Sequence, residues 1–475
     1  MNSIELKVFS KELEKASNWL KNARWSGLKD LRNIKLKVEW IEEVDDVIFI
    51  IIKVFNKKLR FKRLFYVPLT YLKGISYEVP PDRIINIFDQ SFCEAELSHN
   101  YLKAIAKARH PLKLVLFEED IFSQEIFSVR PISLESTNLI TKVKTDRGVY
   151  VLKSYRRPES LNLEVEILKR LCSKAFKYVP KLLGLLEHTK YGPLTIITEF
   201  IDNVGDGGKV FYKELRKYLR GMEEGVNMGK AEANKLGRVT AKMHLSLYDY
   251  KDKFLRPERI TEDDIATWRN RVVKLAGMLK KEGVELNSKS LSSLTSLFNS
   301  YLGRVKMRIH QDFHLGQMVY TKNGDFVITD FEGEPDRDPS ERLSKEPPFR
   351  DLACMLRSFD YLTLSTFTQF YGNSLTRILR GESIKAYERA LEWEEEIIKA
   401  YLKSYFSLIS HKIKELTGFN LSEIRVKELL LPWVFEKALY ELRYELRHRP
   451  SYVPIPLIGI KTILKGTHPL LNIDL

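Results

Sequence analysis

The sequence predicts an α+β chain of two unequal lobes, a small antiparallel-sheet lobe followed by a mainly helical one, with a mixed subdomain ahead of both. Three observations carry this. Strand-like apolar runs recur up to residue 200. A Gly-rich stretch, Asp202-Asn203-Val204-Gly205-Asp206-Gly207-Gly208, then interrupts them, and helical periodicity takes over almost to the end. At 475 residues the chain exceeds one ordinary core, since domains run to roughly 100–200 residues.

Residues 1–92 read as an N-terminal cap. Leu13, Ala16, Trp19 and Leu20 space out as one short amphipathic helix, and strand-like runs follow at Ile34–Trp40, Val47–Phe55 and Arg63–Pro68. The segment Tyr77-Glu78-Val79-Pro80-Pro81-Asp82 breaks any regular element. Residues 93–201 form the β-rich lobe. A helix over Glu94–Ala108 precedes strands at Lys113–Phe117, Phe127–Leu134, Leu139–Thr145 and Val149–Tyr155. A helix over Leu161–Ala175 and strands at Lys181–Leu186 and Pro193–Phe200 complete it. Residues 202–475 are the helical lobe, apart from two short strands between Met318 and Asp330.

Composition narrows the function. Hydrophobic residues at 44% and charged residues at 30% describe a folded protein and exclude a disordered or fibrous one. A net charge of +15 favours anionic partners, yet the basic residues are scattered as pairs such as Lys57-Lys58 and Arg156-Arg157. No nucleic-acid motif accompanies them, so neither nucleic acid nor membrane is expected as a partner. The three cysteines are far apart and fit no metal spacing, which suits reduced thiols in the cytoplasm. The N-terminus has no apolar signal region, and the greasiest run, Val47 to Val54, is strand length.

The densest polar cluster is His310-Gln311-Asp312-Phe313-His314-Leu315-Gly316-Gln317, followed by Asp330-Phe331-Glu332-Gly333-Glu334-Pro335. Between them Asn323-Gly324 signals a tight hairpin. With those two residues at the turn centre, Gln317 sits opposite Asp330. An amide oxygen and a carboxylate at the open end of a hairpin can hold Mg²⁺, the rest of its shell coming from phosphates and water. Asp312 is then left to accept a proton from a hydroxyl nucleophile, the arrangement of phosphoryl transfer. Protein kinases order these parts alike, with a metal-binding Asn five residues after the catalytic Asp. Here Gln317 stands five after Asp312.

The β-rich lobe supplies the expected remainder for ATP. Ser136, Thr137 and Asn138 lie in a turn where backbone N–H groups and hydroxyls can face phosphates, although a plain polar β-turn has the same composition. Lys153 sits on the next strand, where a phosphate-binding lysine belongs, with Glu164 preferred over Glu166 as its carboxylate. Glu199 and Ile201 flank the stretch where backbone groups would meet an adenine edge.

The chain resembles the maltokinases, in the aminoglycoside-phosphotransferase-like branch of the kinase fold. The blocks that carry the resemblance run nearly end to end. They include Arg24-Trp25-Ser26-Gly27, Leu236-Gly237-Arg238-Val239-Thr240-Ala241, the two polar clusters, Phe349-Arg350-Asp351-Leu352 and Lys437-Ala438-Leu439-Tyr440. The resemblance implies a bilobal protein-kinase-like fold and ATP- and Mg²⁺-dependent phosphorylation of maltose at its anomeric hydroxyl. Asp312 would be the base, Gln317 and Asp330 the metal ligands. Lys437 and Tyr440, with His314 and Tyr444, would bind the sugar. It also implies a functional link to a trehalose synthase on a separate chain, and a monomer. Gln311 stands where the family usually has Gly. Independently of the family, Trp433, Lys437, Tyr440, Tyr444 and Arg447 are spaced to share one helix face. Such a stripe suits either sugar stacking or the core of the lobe. Related kinases acting on glucosamine or an aminoglycoside are the alternative, with Glu441 and Glu445 available for ammonium groups. A nucleotide-binding pseudokinase is a further alternative, disfavoured by the presence of Asp312, Gln317, Asp330 and Lys153.

Overall fold

The computed structural model describes residues 3–56, 60–73, 75, 78–117, 124–133, 137–335, 337–372, 374–382 and 384–474. Ser136, Glu135, Leu134, Tyr77 and the Lys57-Lys58 pair lie outside the described residues. The chain divides into two compact units, residues 1–169 with 180–200, and residues 170–179 with 201–475.

The first unit holds two antiparallel sheets. One contains β1 (Lys35–Val44), β2 (Val47–Asn56), β3 (Phe61–Tyr66), β4 (Leu69–Tyr71), β5 (Ile84–Ile87) and β6 (Gln90–Glu94). Its order is β1-β2-β4-β6-β5, with β3 also paired to β2. The other contains β7 (Leu112–Leu116), β8 (Ile126–Ser133), β9 (Leu139–Thr145), β10 (Val149–Ser154), β11 (Leu182–His188) and β12 (Gly192–Glu199), in the order β7-β11-β12-β10-β9-β8.

β2 explains why its sequence is apolar without alternation. Ile48, Ile50, Ile52 and Val54 face a core shared with Phe9, Leu13, Leu20 and Trp25. Val47, Phe49 and Ile51 face a second core that includes Tyr101, Leu152, Leu186 and Ile197 from the neighbouring sheet. A strand covered on both faces loses the polar half of its pattern, and each such side chain contributes about 1.5–3 kcal/mol by burial. The boundary expected after residue 92 therefore falls inside β6, and the cap and the second sheet share one core.

Two expected helices differ. The first breaks at Ala16 into α1 (Ser3–Lys15) and α2 (Ser17–Asn22). The helix expected from Glu94 begins as α3 only at His99, because Glu94 closes β6 and Ser98 caps the helix through the Asn100 N–H. α4 spans Leu163–Ser173, opened by the Asn162 side chain accepting from the Val165 N–H.

The second unit is built mainly of helices. Glu224–Leu247 and Lys385–Ile409 approach so closely that a Cβ at Gly237 would sit 2.4 Å from the Tyr401 carbonyl oxygen, which is why the position excludes a side chain. The exception to the helices is a small sheet in which β13 (Asn203–Asp206) pairs with Met318–Thr321, itself paired with Phe326–Ile328.

Candidate active site

The loop carrying Asp312 is fixed from beneath by a helix, Phe349–Tyr371. In its first turn the buried Asp351 accepts from the His310 N–H (2.8 Å) and the Gln311 N–H (2.9 Å). His244 Nε2 lies 3.2 Å from the same carboxylate, and its Nδ1 lies 2.8 Å from the Tyr405 hydroxyl. Charge-assisted bonds to two consecutive amides set the loop backbone. Gln311 adopts φ +69°, the left-handed region that makes glycine the usual residue there. Its buried side chain holds the turn by donating to the Arg342 and Ser344 carbonyls at 2.8 and 2.6 Å. Asp351 and His244 were not legible as loop anchors, since a single carboxylate at a helix start is an ordinary capping or dipole feature.

Asp312 is 7% exposed. Its Oδ1 accepts from the Lys437 ammonium at 2.9 Å, while Gln317 Nε2 and His314 Nε2 lie 3.5 and 3.7 Å from Oδ2. Burial alone would push the carboxyl up, but Lys437 and His314 hold it well below the usual carboxylate range. His314 Nδ1 accepts from the Gly316 N–H, which leaves Nε2 as the donor nitrogen toward Asp312.

The hairpin corrects one expectation. Its pairs are Met318–Ile328, Val319–Val327 and Tyr320–Phe326, one residue out of the register centred on Asn323-Gly324. Thr321 and Asp325 close a three-residue loop in which Gly324 alone takes positive φ, +81°. That is a type I turn followed by a left-handed residue. Gln317 consequently faces Thr329, whose N–H donates to its carbonyl at 2.8 Å, and Asp330 follows at φ +63°. The Gln317 side-chain oxygen accepts no hydrogen bond among the described residues.

Lys437 joins this site from the helix Val426–His448. Its ammonium also donates to Glu334 Oε1 at 2.6 Å and lies 4.8 Å from the centre of the Tyr440 ring. Glu334 Oε2 accepts from Arg337 Nε and from Arg350 Nη2. The aromatic stripe splits. Trp433 is a core residue among Trp268, Phe298 and Tyr301, donating to the Tyr301 hydroxyl at 3.1 Å, and Arg447 is exposed. Tyr440 and Tyr444 remain, with Tyr444 4.6 Å from the His448 ring. Glu441 Oε2 accepts from Arg357 Nε and Nη2 (3.1 and 2.7 Å), and Glu445 from Arg449 Nε and Nη2 (2.9 and 2.5 Å).

In the first unit Lys153, on β10, lies 2.8 Å from Glu164, the partner expected, while Glu166 is 3.6 Å from Lys169. The Tyr155 hydroxyl donates to the same Glu164 oxygen at 2.7 Å. Two nucleotide-side residues commit their side chains within the sheet, which leaves open the part expected of their backbone groups. Asn138 turns its side-chain oxygen to the Arg156 N–H (3.1 Å), and Glu199 turns its carboxylate to the Lys181 N–H (2.9 Å), so both brace the sheet. Thr137 is exposed. In the second unit the Ile201 carbonyl accepts from the Asn203 amide at 2.8 Å.

The chain is similar to a glucosamine kinase from Streptacidiphilus jiangxiensis, 22% identical over 304 residues, a match that covers 62% of this chain and 64% of that protein, under two thirds of its length. Among solved structures, a glucosamine kinase in complex with glucosamine, ADP and inorganic phosphate superposes with a TM-score of 0.64 at 16% identity, over 96% of this chain and 99% of that one. A second glucosamine kinase structure, crystal form B, gives 0.68 at 18% identity with the same coverage. These likenesses establish the fold, an α+β architecture with an antiparallel-sheet part and a helical C-terminal part. Residues 128–393, more than half of the chain, match the APH phosphotransferase enzyme family, and the chain belongs to that family.

Proposed function

We propose that the chain transfers the terminal phosphoryl group of ATP to a sugar hydroxyl, with glucosamine or a close amino sugar as acceptor. The observation that carries the phosphotransfer reading is the Asp312 carboxylate, kept ionised by Lys437 on a loop that Asp351 immobilises. In a loose transition state the attacking oxygen needs little deprotonation beforehand. A low-pKa carboxylate then serves by orienting the hydroxyl and taking its proton as the oxygen–phosphorus bond forms and ADP leaves. Lys153, steadied by Glu164, would meet the nucleotide phosphates. Gln317 and Asp330 would hold Mg²⁺, and the uncommitted amide oxygen of Gln317 beside a carboxylate residue is a hard-oxygen pair that suits it. When bound, the ion neutralises phosphate charge.

The acceptor class rests on the relatives, which are glucosamine kinases. One observation favours a second reading, maltose phosphorylated at its anomeric hydroxyl to maltose 1-phosphate. Glu441 and Glu445, the carboxylates an ammonium group would seek on this helix, are both paired with arginines. Tyr440 and Tyr444 offer stacking surfaces for a neutral sugar.

ATP consumption with Mg²⁺ and glucosamine, maltose, glucose or kanamycin, with Asp312→Asn as control, decides between them. Turnover with glucosamine, reduced by about 10²–10⁴ in the mutant, is the expected result. Turnover with maltose alone would move the specificity to the second reading. ATP binding without turnover on any acceptor would overturn the kinase reading.

A further inference from the structure

We propose that Glu334 is a positioning residue that holds the Lys437 ammonium on Asp312, so that Lys437 serves the proton acceptor and not the sugar pocket. This rests on the phosphotransferase reading of Asp312.

Glu334 is fully buried, four residues beyond Asp330 in the Asp-Phe-Glu-Gly-Glu run. Its two oxygens are divided between different partners. Oε1 accepts from Lys437 at 2.6 Å, and Oε2 accepts from both Arg337 and Arg350. The arginines are held at their far sides, Arg337 by Glu436 (2.9 Å) and Arg350 by Glu346. With both oxygens engaged by cations that are themselves fixed, the Glu334 carboxylate cannot swing.

Lys437 is 5% exposed and offers three donors, of which one meets Glu334 and one meets Asp312 at 2.9 Å. Asp351 sets the backbone of the Asp312 loop, and Lys437, which rises from the middle of a helix and is pinned by Glu334, sets where the Asp312 carboxylate points. A lone buried Lys–Asp pair would also be poorly compensated for desolvation, and removing one partner of such a pair is costly. Glu334 supplies the second negative charge that keeps Lys437 ionised in this site.

The test is a double-mutant cycle in the full chain with Glu334→Gln and Lys437→Met, reading kcat, KM and melting temperature. A glutamine at 334 keeps one acceptor oxygen and no charge, so its NH2 meets either the ammonium or the two guanidiniums as donor against donor, and Lys437 shifts. A displacement of about 1 Å near the reacting groups costs roughly 10²-fold in kcat. KM for ATP and sugar should stay within about threefold, as for a group whose effect is felt in the transition state. The double mutant should be no slower than Lys437→Met alone. Glu334→Asp should recover part of kcat when Lys437 is present and none in the Lys437→Met background. Should Glu334→Gln not fold, the Glu334→Asp cycle supplies the same comparison. Additive kcat losses, or a raised sugar KM with kcat intact in Lys437→Met, would overturn the proposal. If the wild type turns over no acceptor, the phosphotransferase reading fails and the catalytic role falls with it. Additive melting losses across the same cycle would then sink the pairing too.

Discussion

A carboxylate that takes a proton from a sugar hydroxyl and one that holds a cation differ in what their loss removes. Asp312→Asn takes away the acceptor beside Lys437 and leaves the nucleotide side of the site intact. Mg²⁺–ATP affinity should therefore stay within about threefold while turnover collapses. Asp330→Asn removes a charge from the proposed metal pair and should weaken Mg²⁺-dependent nucleotide binding by roughly tenfold, about 1.4 kcal/mol. Calorimetric titration of both variants with ATP, with and without Mg²⁺, separates the roles. Equal nucleotide affinities for the two would undo the assignment. Glu334 shows the limit of reading at this scale. Its position beside the Asp-Phe motif was visible, but its task depends on Lys437, about a hundred residues later in the chain, and on two buried arginines.

At the scale of elements, what could be read followed local chemistry. The strand expected over Leu139–Thr145 coincides with β9, because alternation on a half-buried strand is a strong periodic signal. The pairing of Lys153 with Glu164 followed from a strand and the first turn of the next helix. The hairpin register did not follow. Asn-Gly signals a two-residue turn, but a three-residue loop with glycine as its single left-handed residue has the same composition. The choice was made by the ladder from Met318 to Ile328, not by the turn. The Trp433 stripe shows the same ambiguity, since spacing places residues on one face without saying whether that face meets sugar or core. The catalytic loop offers a test of its own. Gln311→Gly would relieve about 1–2 kcal/mol of left-handed strain. It would also remove two buried hydrogen bonds worth about 0.5–1.5 kcal/mol each, and add backbone entropy to the unfolded chain. The variant should unfold at lower urea than the wild type. A higher midpoint would mean that strain outweighs the anchoring amide.

At the scale of the molecule, the cap is part of the unit that carries Lys153, and Arg156 is where the two are joined. Three residues after Lys153 it is fully buried, 2.5 Å from Glu96 and 3.1 Å from Glu94, with its guanidinium 5.2 Å from the centre of the Trp25 ring. The Tyr66 N–H donates to its carbonyl at 3.0 Å, and Arg157 reaches the Ser26 carbonyl at 3.4 Å. A sequence reading sees Arg156-Arg157 as a basic pair on a strand end, because the carboxylates that bury it lie some sixty residues earlier, at what reads as the start of a helix. Arg156→Met should therefore act as a core mutation. It strands the buried Glu96 carboxylate and leaves Glu94 to Arg83 alone, and breaking a buried pair in this way costs about 3–5 kcal/mol. Burial already raises the Glu96 carboxyl, with Arg156 opposing it. Without the guanidinium, Glu96 should take up a proton at higher pH, and the variant should lose stability as pH rises through that shifted value. Denaturant midpoints at pH 5 and pH 8 measure this: the deficit of Arg156→Met relative to wild type should be larger at pH 8. Adding Glu96→Gln should remove the pH dependence and restore part of the midpoint. Because Arg156 lies two residues beyond the end of β10, the strand that carries Lys153, nucleotide affinity should fall in Arg156→Met and recover with stability when Glu96→Gln is added. A deficit equal at both pH values would mean that the guanidinium is held there by packing on Trp25 and not by its carboxylates.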